Sequence, residues 1–258
     1  MLGAGRAVLA GWARAGEGGA GPGPRPPPRV LPLPLPDGRG APGDAQGWRR
    51  ALEAAARALQ AGGLVALPTD TIYGVACLAQ DSRAVRAVYS LKGRDGTKPL
   101  AICLAGVEHV YRYCHVNVPE QLLRDLLPGP VTLVLQRSDG LNKDLNPFTS
   151  LVGVRIPNHA FIRELAQACP GPLALTSANV SSQASTLTVS EFQDLWPQLS
   201  LVVDGGPIGD TQSPECRLGS TVVDLSVSGK YTIIRPGCAL GPTVEILKQK
   251  YGLTLEPS

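Results

Sequence analysis

The chain has 258 residues, 43% of them hydrophobic, with Lys+Arg 24 against Asp+Glu 21 and a formal net charge of +3. That length allows one large or two small domains whose core needs no staples. The charge excludes a nucleic-acid coat protein, so any such contact would need a local patch. No apolar run reaches the ~18 residues that a membrane span requires.

Residues 1–46 differ in kind from the rest. Leu2, Val8, Leu9 and Trp12 share one arc of a helical wheel with Arg6 and Arg14 outside it, a presequence-like pattern weakened by Gly3, Gly5 and Gly11. Gly21 to Pro42 is dominated by Pro, Gly and Arg, a composition that builds no core and is expected to be disordered or extended. The segment is therefore read as a tail and a candidate mitochondrial targeting segment, with the folded domain over 47–258.

Trp48, Leu52, Ala55, Ala56 and Leu59 recur at helical spacing, and Gly62-Gly63 stops that helix. Leu64 to Leu67 reads as a short buried strand ended by Pro68. The turn Thr69-Asp70-Thr71-Ile72-Tyr73-Gly74 then places hydroxyls and a carboxylate at the strand's end. Asp81 and Ser82 are good N-caps for a helix through Val85, Val88 and Leu91, which delivers the chain into the basic stretch Lys92-Gly93-Arg94, with Lys98-Pro99 beyond it. An apolar run, Leu100 to Leu104, follows.

Further on, Pro119 to Leu127 reads as a helix broken by Pro128-Gly129-Pro130, and Val131 to Leu135 as a strand. A polar loop, Arg137 to Ser150, precedes a strand from Val152 to Arg155, and Asn158 is placed to cap the next helix. Leu173 to Leu175 is a strand running into Thr176-Ser177-Ala178-Asn179. A short helix carries Phe192, Leu195 and Trp196. Strands over 201–203, 221–223 and 232–234 and a last helix opened by Pro242 complete the set. Strands and helices alternate without an internal repeat, which predicts one α/β domain on a twisted mixed β-sheet flanked by helices.

Cysteines 77, 103, 114, 169, 216 and 238 include no CxxC pair and lie mostly in apolar runs, as buried free thiols of a reducing compartment do. The three histidines are scattered, and only His159 has a suggestive setting, after Arg155-Ile156-Pro157-Asn158. There is no Walker A sequence, no GxGxxG after a strand, no GxSxG elbow and no HExxH, which argues against P-loop, dinucleotide, elbow-hydrolase and zinc-protease chemistry. The chain instead offers cations (Lys92, Arg94, Lys98, Arg155, Arg235) with hydroxyl and amide donors (Thr71, Ser177, Asn179, Ser220) near strand ends, where α/β sheets gather ligands. Such a set suits polyanions and small carboxylates. Thr132 is open to two readings, a strand hydroxyl bonded to backbone or a ligand contact, and Asp70 either braces its turn or joins the site.

The blocks Pro68 to Gly74, Lys92-Gly93-Arg94 with Lys98-Pro99-Leu100, Pro128 to Leu133, Val154 to Pro157, Thr176 to Asn179, and Gly219 to Asp224 with Arg235-Pro236-Gly237 resemble, in order and spacing, the YrdC-type threonylcarbamoyl-AMP synthases. The resemblance covers about residues 48 to 240. It implies a YrdC-like domain with a basic concave ligand cleft, and a nucleotidyltransferase. That enzyme makes L-threonylcarbamoyladenylate and pyrophosphate from L-threonine, bicarbonate and ATP, for threonylcarbamoyladenosine modification of tRNA beside the anticodon. By motif position, Lys92, Arg94, Ser177 and Asn179 would be catalytic. Arg94, Lys98, Ser177, Ser185 and Arg235 would hold ATP, and Thr71, Arg155 and Ser220 would hold threonine. No metal ligand is implied, and Mg2+ would travel with the nucleotide. Cys103 stands where many members have His, and Leu151 where many have Thr, so those side-chain contacts do not carry over.

The resemblance also implies cytoplasmic and mitochondrial location and a downstream threonylcarbamoyl transferase, a KEOPS-type complex and its mitochondrial counterpart. A double-stranded RNA or tRNA-binding module without turnover is the alternative function, using the same basic face. The low aromatic content argues against single-strand recognition by stacking. On the catalytic reading, Lys92→Ala is expected to abolish turnover and leave the fold intact.

Overall fold

The computed structural model describes residues 26–34, 44–93 and 98–257. The presequence pattern at the N-terminus and Arg94 lie outside the described residues. In chain order the strands are β1 (Arg29–Pro32), β2 (Val65–Leu67), β3 (Gly74–Leu78), β4 (Ala101–Cys103), β5 (Cys114–His115), β6 (Val131–Arg137), β7 (Leu151–Arg155), β8 (Leu173–Ser177), β9 (Leu201–Asp204), β10 (Thr221–Asp224), β11 (Lys230–Arg235) and β12 (Thr254–Leu255). The α-helices are α1 (Ala45–Gln60), α2 (Ser82–Leu91), α3 (Val110–Tyr113), α4 (Glu120–Leu126), α5 (Ala160–Ala168) and α6 (Leu240–Glu245), and Val189–Gln198 forms a 3-10 segment.

The strands join in one mixed sheet, ordered β1-β9-β2-β3-β8-β4-β7-β6-β10-β11-β12, with β5 paired to β6. One face carries the larger core, including Tyr73, Val75, Ile102, Leu133 and Val154, under α2 and α4. The opposite face packs Ala76, Cys103, Leu173 and Val203 against α1 and α5. Alternation of side chains along each strand separates these two sets. α1 buries Ala51, Ala55 and Leu59, one stripe at helical spacing. It meets α5 through Trp48, whose ring stands edge-on to Phe161 at 5.4 Å and whose Nε1 donates to Glu164 Oε2 at 2.9 Å.

Local signals account for most boundaries. Asp81 caps α2 by accepting from the backbone amides of Arg83 and Ala84 at 2.9 and 3.2 Å. Three expectations need correction, and one strand had no reading in the sequence. The tail reading fails for Arg29–Pro32, which pairs in parallel with β9 and seats Leu33 in the core. Its alternating Val30 and Leu31 were masked by the prolines around them. Asn158 does not cap α5: that position is His159, and the Asn158 amide donates instead to Asp70 Oδ2 at 3.0 Å. The last helix begins at Leu240 rather than Pro242. The run Gly74–Leu78 is a strand buried on both faces, so it shows none of the alternation that marks a half-exposed strand.

Cys77, Cys103 and Cys114 are buried free thiols, whereas Cys238 is exposed. Burial pushes the pKa of each of the three from the ordinary 9.0 up to about 12. A raised folded-state value means that the folded chain holds these protons more tightly than the unfolded chain. Their contribution to stability is therefore complete below about pH 9 and is lost as pH rises toward 12. Unfolding free energy measured in denaturant against pH should fall above that point, with a shallower slope when all three are changed to Ala.

Candidate functional site

Two clusters form around two cations. The first is built where α2 ends. Lys92 takes the C-cap in an αR conformation, and Gly93 follows at φ +61°, which a glycine adopts without strain. The Lys92 side chain turns inward and is fully buried. Its Nζ donates to Ser177 O at 2.7 Å, Ser177 Oγ at 3.2 Å and Asn179 Oδ1 at 3.2 Å, and it also contacts Asn179 O. The lysine thus bolts the end of α2 to the loop leaving β8. That loop is fixed further by Ala178 N donating to Tyr73 O and by Thr186 Oγ1 donating to Ala178 O, both at 2.9 Å.

This geometry sorts the expected roles. Asn179 uses both amide hydrogens inside its own loop, on Val180 O at 3.1 Å and Gln183 O at 2.7 Å, so it shapes the loop. Ser177 accepts from Lys92 and keeps a hydroxyl hydrogen of its own to donate. Ser185 is held through its carbonyl by Arg217 Nη1 at 2.8 Å. Arg217 in turn forks onto both oxygens of Glu191 at 2.9 Å. This Arg217–Glu191 brace was invisible in the sequence, because the partners lie far apart in the chain. Lys98 is exposed and is not drawn into either cluster by a described contact.

The second cluster forms around Arg155, the last residue of β7. Arg155 Nη2 donates to Asp70 Oδ1 at 2.6 Å, and both side chains are nearly buried, at 5% and 10% exposure. Asp70 therefore does more than brace its turn: it carries the loop after β2 onto Arg155 and onto the Asn158 amide. Inside that loop Thr69 Oγ1 donates to Ile72 O at 2.7 Å and lies 3.2 Å from Thr71 Oγ1. Among the described residues, Arg155 Nη1 is buried without a hydrogen-bond partner, as is His159 Nδ1. Burial lowers the His159 pKa below its ordinary value, and the Asp70 charge opposes that shift.

Thr132 and Ser220 join this second cluster, with their hydroxyl oxygens 2.8 Å apart. Thr132 is thus bonded to a side chain rather than to backbone. Arg235 Nη2 donates to Ser220 O at 2.9 Å and approaches Ser220 Oγ at 3.3 Å. Arg235 is exposed by surface area, yet desolvation by the surrounding protein, and then the neighbouring Arg155 charge, lower its pKa below the usual value. Two guanidiniums held near each other in this way favour an anion between them.

Register ties the clusters together. Leu175, Ala101 and Gly153 stand opposite one another across β8, β4 and β7, and Val134 continues the row on β6. Ser177 lies two residues beyond that row, and Arg155 two residues short of it on the other side. Four residues of rise and two strand spacings separate them by roughly 16 Å. Between them the sheet face is low and partly open, with Ala101 and Gly153 as its floor. A Cβ at Gly153 would stand 2.8 Å from Thr132 Cγ2, so the floor has no room for a larger residue there. Among the described residues, no three His, Cys, Asp or Glu side chains gather as a metal-binding group.

A mixed sheet with these strand-end clusters defines a known class. The Sua5/YciO/YrdC family model, described as "Telomere recombination", matches residues 57–237, and the chain belongs to that family. It is 72% identical over 207 residues to the Homo sapiens threonylcarbamoyl-AMP synthase, covering 80% of this chain and 74% of the relative. The Bos taurus threonylcarbamoyl-AMP synthase is 69% identical over 216 residues, covering 84% and 78%. The crystal structure of P. abyssi Sua5 complexed with L-threonine superposes with a TM-score of 0.70 at 28% identity, over 88% of this chain. The chain spans only 62% of that longer protein.

The full burial of Lys92 bears on its substitution. Removing its ammonium leaves several carbonyls without donors, each at about 1–3 kcal/mol. Lys92→Ala should therefore lower the melting temperature by several degrees in a thermal scan, so its loss of turnover would not be a pure ligand effect. An unchanged melting temperature would assign Lys92 to ligand contact alone.

Proposed function

We infer that this chain is a threonylcarbamoyl-AMP synthase, converting L-threonine, bicarbonate and ATP into L-threonylcarbamoyladenylate, pyrophosphate and water. The observation that carries the reading is Arg155: one nitrogen is fixed by Asp70 while the other is buried without an acceptor among the described residues. A buried N–H of a charged group left in that condition is costly, and a carboxylate satisfies it. The high identity to proteins named for this activity, and the likeness to a Sua5 structure holding L-threonine, support the assignment.

The chemistry asks for positioning and charge neutralisation more than for a protein nucleophile. The amine of threonine forms a C–N bond to bicarbonate carbon, and the displaced oxygen leaves as water. A carbamate oxygen then bonds to the α-phosphorus of ATP as the bond to the pyrophosphate oxygen breaks. Two anions must meet, which is unfavourable unless cations screen them. Arg155 takes the threonine carboxylate, with Thr71 and Ser220 beside it. Arg235, in the same cluster, faces the carbamate and the α-phosphate. Lys92, Arg94 and Lys98 supply positive charge for the phosphates, and the Ser177 hydroxyl donates to a phosphate oxygen. Ser185 lies on the nucleotide side.

Mg2+ enters this proposal as part of the MgATP substrate, bound mainly by phosphate oxygens. The product is a reactive mixed anhydride, so we assign it to hand-over to a threonylcarbamoyl transferase, the KEOPS-type complex or its mitochondrial counterpart, for tRNA modification. Cytoplasmic and mitochondrial location, import through residues 1–46, a basic concave cleft and direct contact with tRNA belong to the same proposal.

Purified protein given ATP, L-threonine and labelled bicarbonate should release pyrophosphate only when all three are present. Release that ignores threonine or bicarbonate contradicts the assignment. Arg155→Lys, which replaces a fork by a point charge, should raise KM for threonine at least about tenfold while KM for ATP changes little.

A further inference from the structure

Asn146 lies in the polar loop between β6 and β7, outside the sequence blocks that carry the family resemblance. It is fully buried and holds a backbone φ of +50° directly before Pro147. Left-handed backbone at a residue other than glycine is uncommon, and Asn tolerates it best. Its carboxamide makes contacts in two directions. On one side it grips the backbone of Leu100 twice: Leu100 N donates to Asn146 Oδ1 at 2.8 Å, and Asn146 Nδ2 donates to Leu100 O at 2.8 Å. On the other side Tyr89 OH donates to Asn146 Oδ1 at 2.8 Å, and the Asn146 amide lies 3.2 Å from the same tyrosine oxygen.

Tyr89 sits in the last turn of α2, three residues before Lys92, and Leu100 opens the run into β4. One side chain therefore clamps the two stems between which Lys92 leaves its helix. The loop does not need Asn146 merely to keep its own shape. Arg137 already binds it through Asn142 O at 2.6 Å, Asn146 O at 3.3 Å and Leu145 O. The carboxamide is thus spent on the stems.

We propose that Asn146 is a positioning residue for the anion-binding end of the site, holding the Lys92 stems in register with Ser177. Asparagine suits the task because one short planar group supplies both an acceptor and a donor. A carboxylate there would lose the donor and face the Leu100 carbonyl. The inference rests on the synthase reading for what Lys92 binds, and on geometry alone for the clamp.

The test is Asn146→Gly, which keeps the left-handed backbone free of strain and deletes only the clamp. Thr149→Ala, in the same loop and with its hydroxyl bonded to Leu151 N rather than to Tyr89 or Leu100, is the control. Amide exchange at Lys92 and Gly93, read by residue-resolved hydrogen exchange, should quicken in Asn146→Gly and stay unchanged in Thr149→Ala. Turnover assays should show KM for ATP raised about tenfold in Asn146→Gly, with KM for L-threonine within about twofold of wild type. Unchanged exchange overturns the clamp whatever the kinetics show. Faster exchange with an unchanged KM for ATP, or with KM for threonine rising equally, overturns the positioning role. A wild-type protein without threonine-dependent pyrophosphate release would instead defeat the synthase reading, while the exchange comparison still decides the clamp.

Discussion

Arg155 and Asp70 meet from opposite sides of the sheet order, one at the end of β7 and the other in the loop after β2, and both lose most of their water in doing so. A buried ion pair of this kind adds little net stability, but breaking it by removing one partner costs about 3–5 kcal/mol. It therefore acts as a constraint. It fixes the loop that carries Thr69 and Thr71, captures the Asn158 amide where α5 begins, and leaves the second guanidinium nitrogen with no acceptor among the described residues. Thr132 and Arg235 each bond to Ser220, and Arg235 feels the Arg155 charge.

The other end of the site obeys a different rule. Lys92 is held by oxygens of Ser177 and Asn179, so the carbonyl dipoles of a loop help to orient its ammonium. Small residues on the strands between, Ala101 and Gly153, leave a low floor between the two anchors. An amino acid at one end and a triphosphate at the other is the pairing that such a floor suits, with the reacting atoms between them.

Much of this was legible in the sequence, for particular reasons. Asp81 announced α2, the spacing of Trp48, Leu52, Ala55, Ala56 and Leu59 announced α1, and the ordered blocks from Pro68 to Gly237 announced the family, because each is a local pattern. Arg155 and Ser220 could be picked out by motif, and they do share a cluster. What stayed hidden depends on long-range pairing. Nothing local says that Asp70 will reach Arg155, that Arg217 will brace Ser185, or that Asn146 will clasp Leu100. β1 was hidden by its prolines and β3 by burial on both faces. Asn179 and Lys92 looked like free ligand groups, and their internal bonds appear only once β8 and α2 are brought together.

On the proposed function, the Arg155 nitrogen that has no partner among the described residues takes the substrate carboxylate. Calorimetric titration of the wild-type protein with L-threonine and with L-threoninamide, which lacks that charge, tests it most directly. The account predicts measurable binding of threonine and a loss of at least about tenfold in affinity for the amide, the worth of one charge-assisted contact. Equal affinity for the two would contradict it.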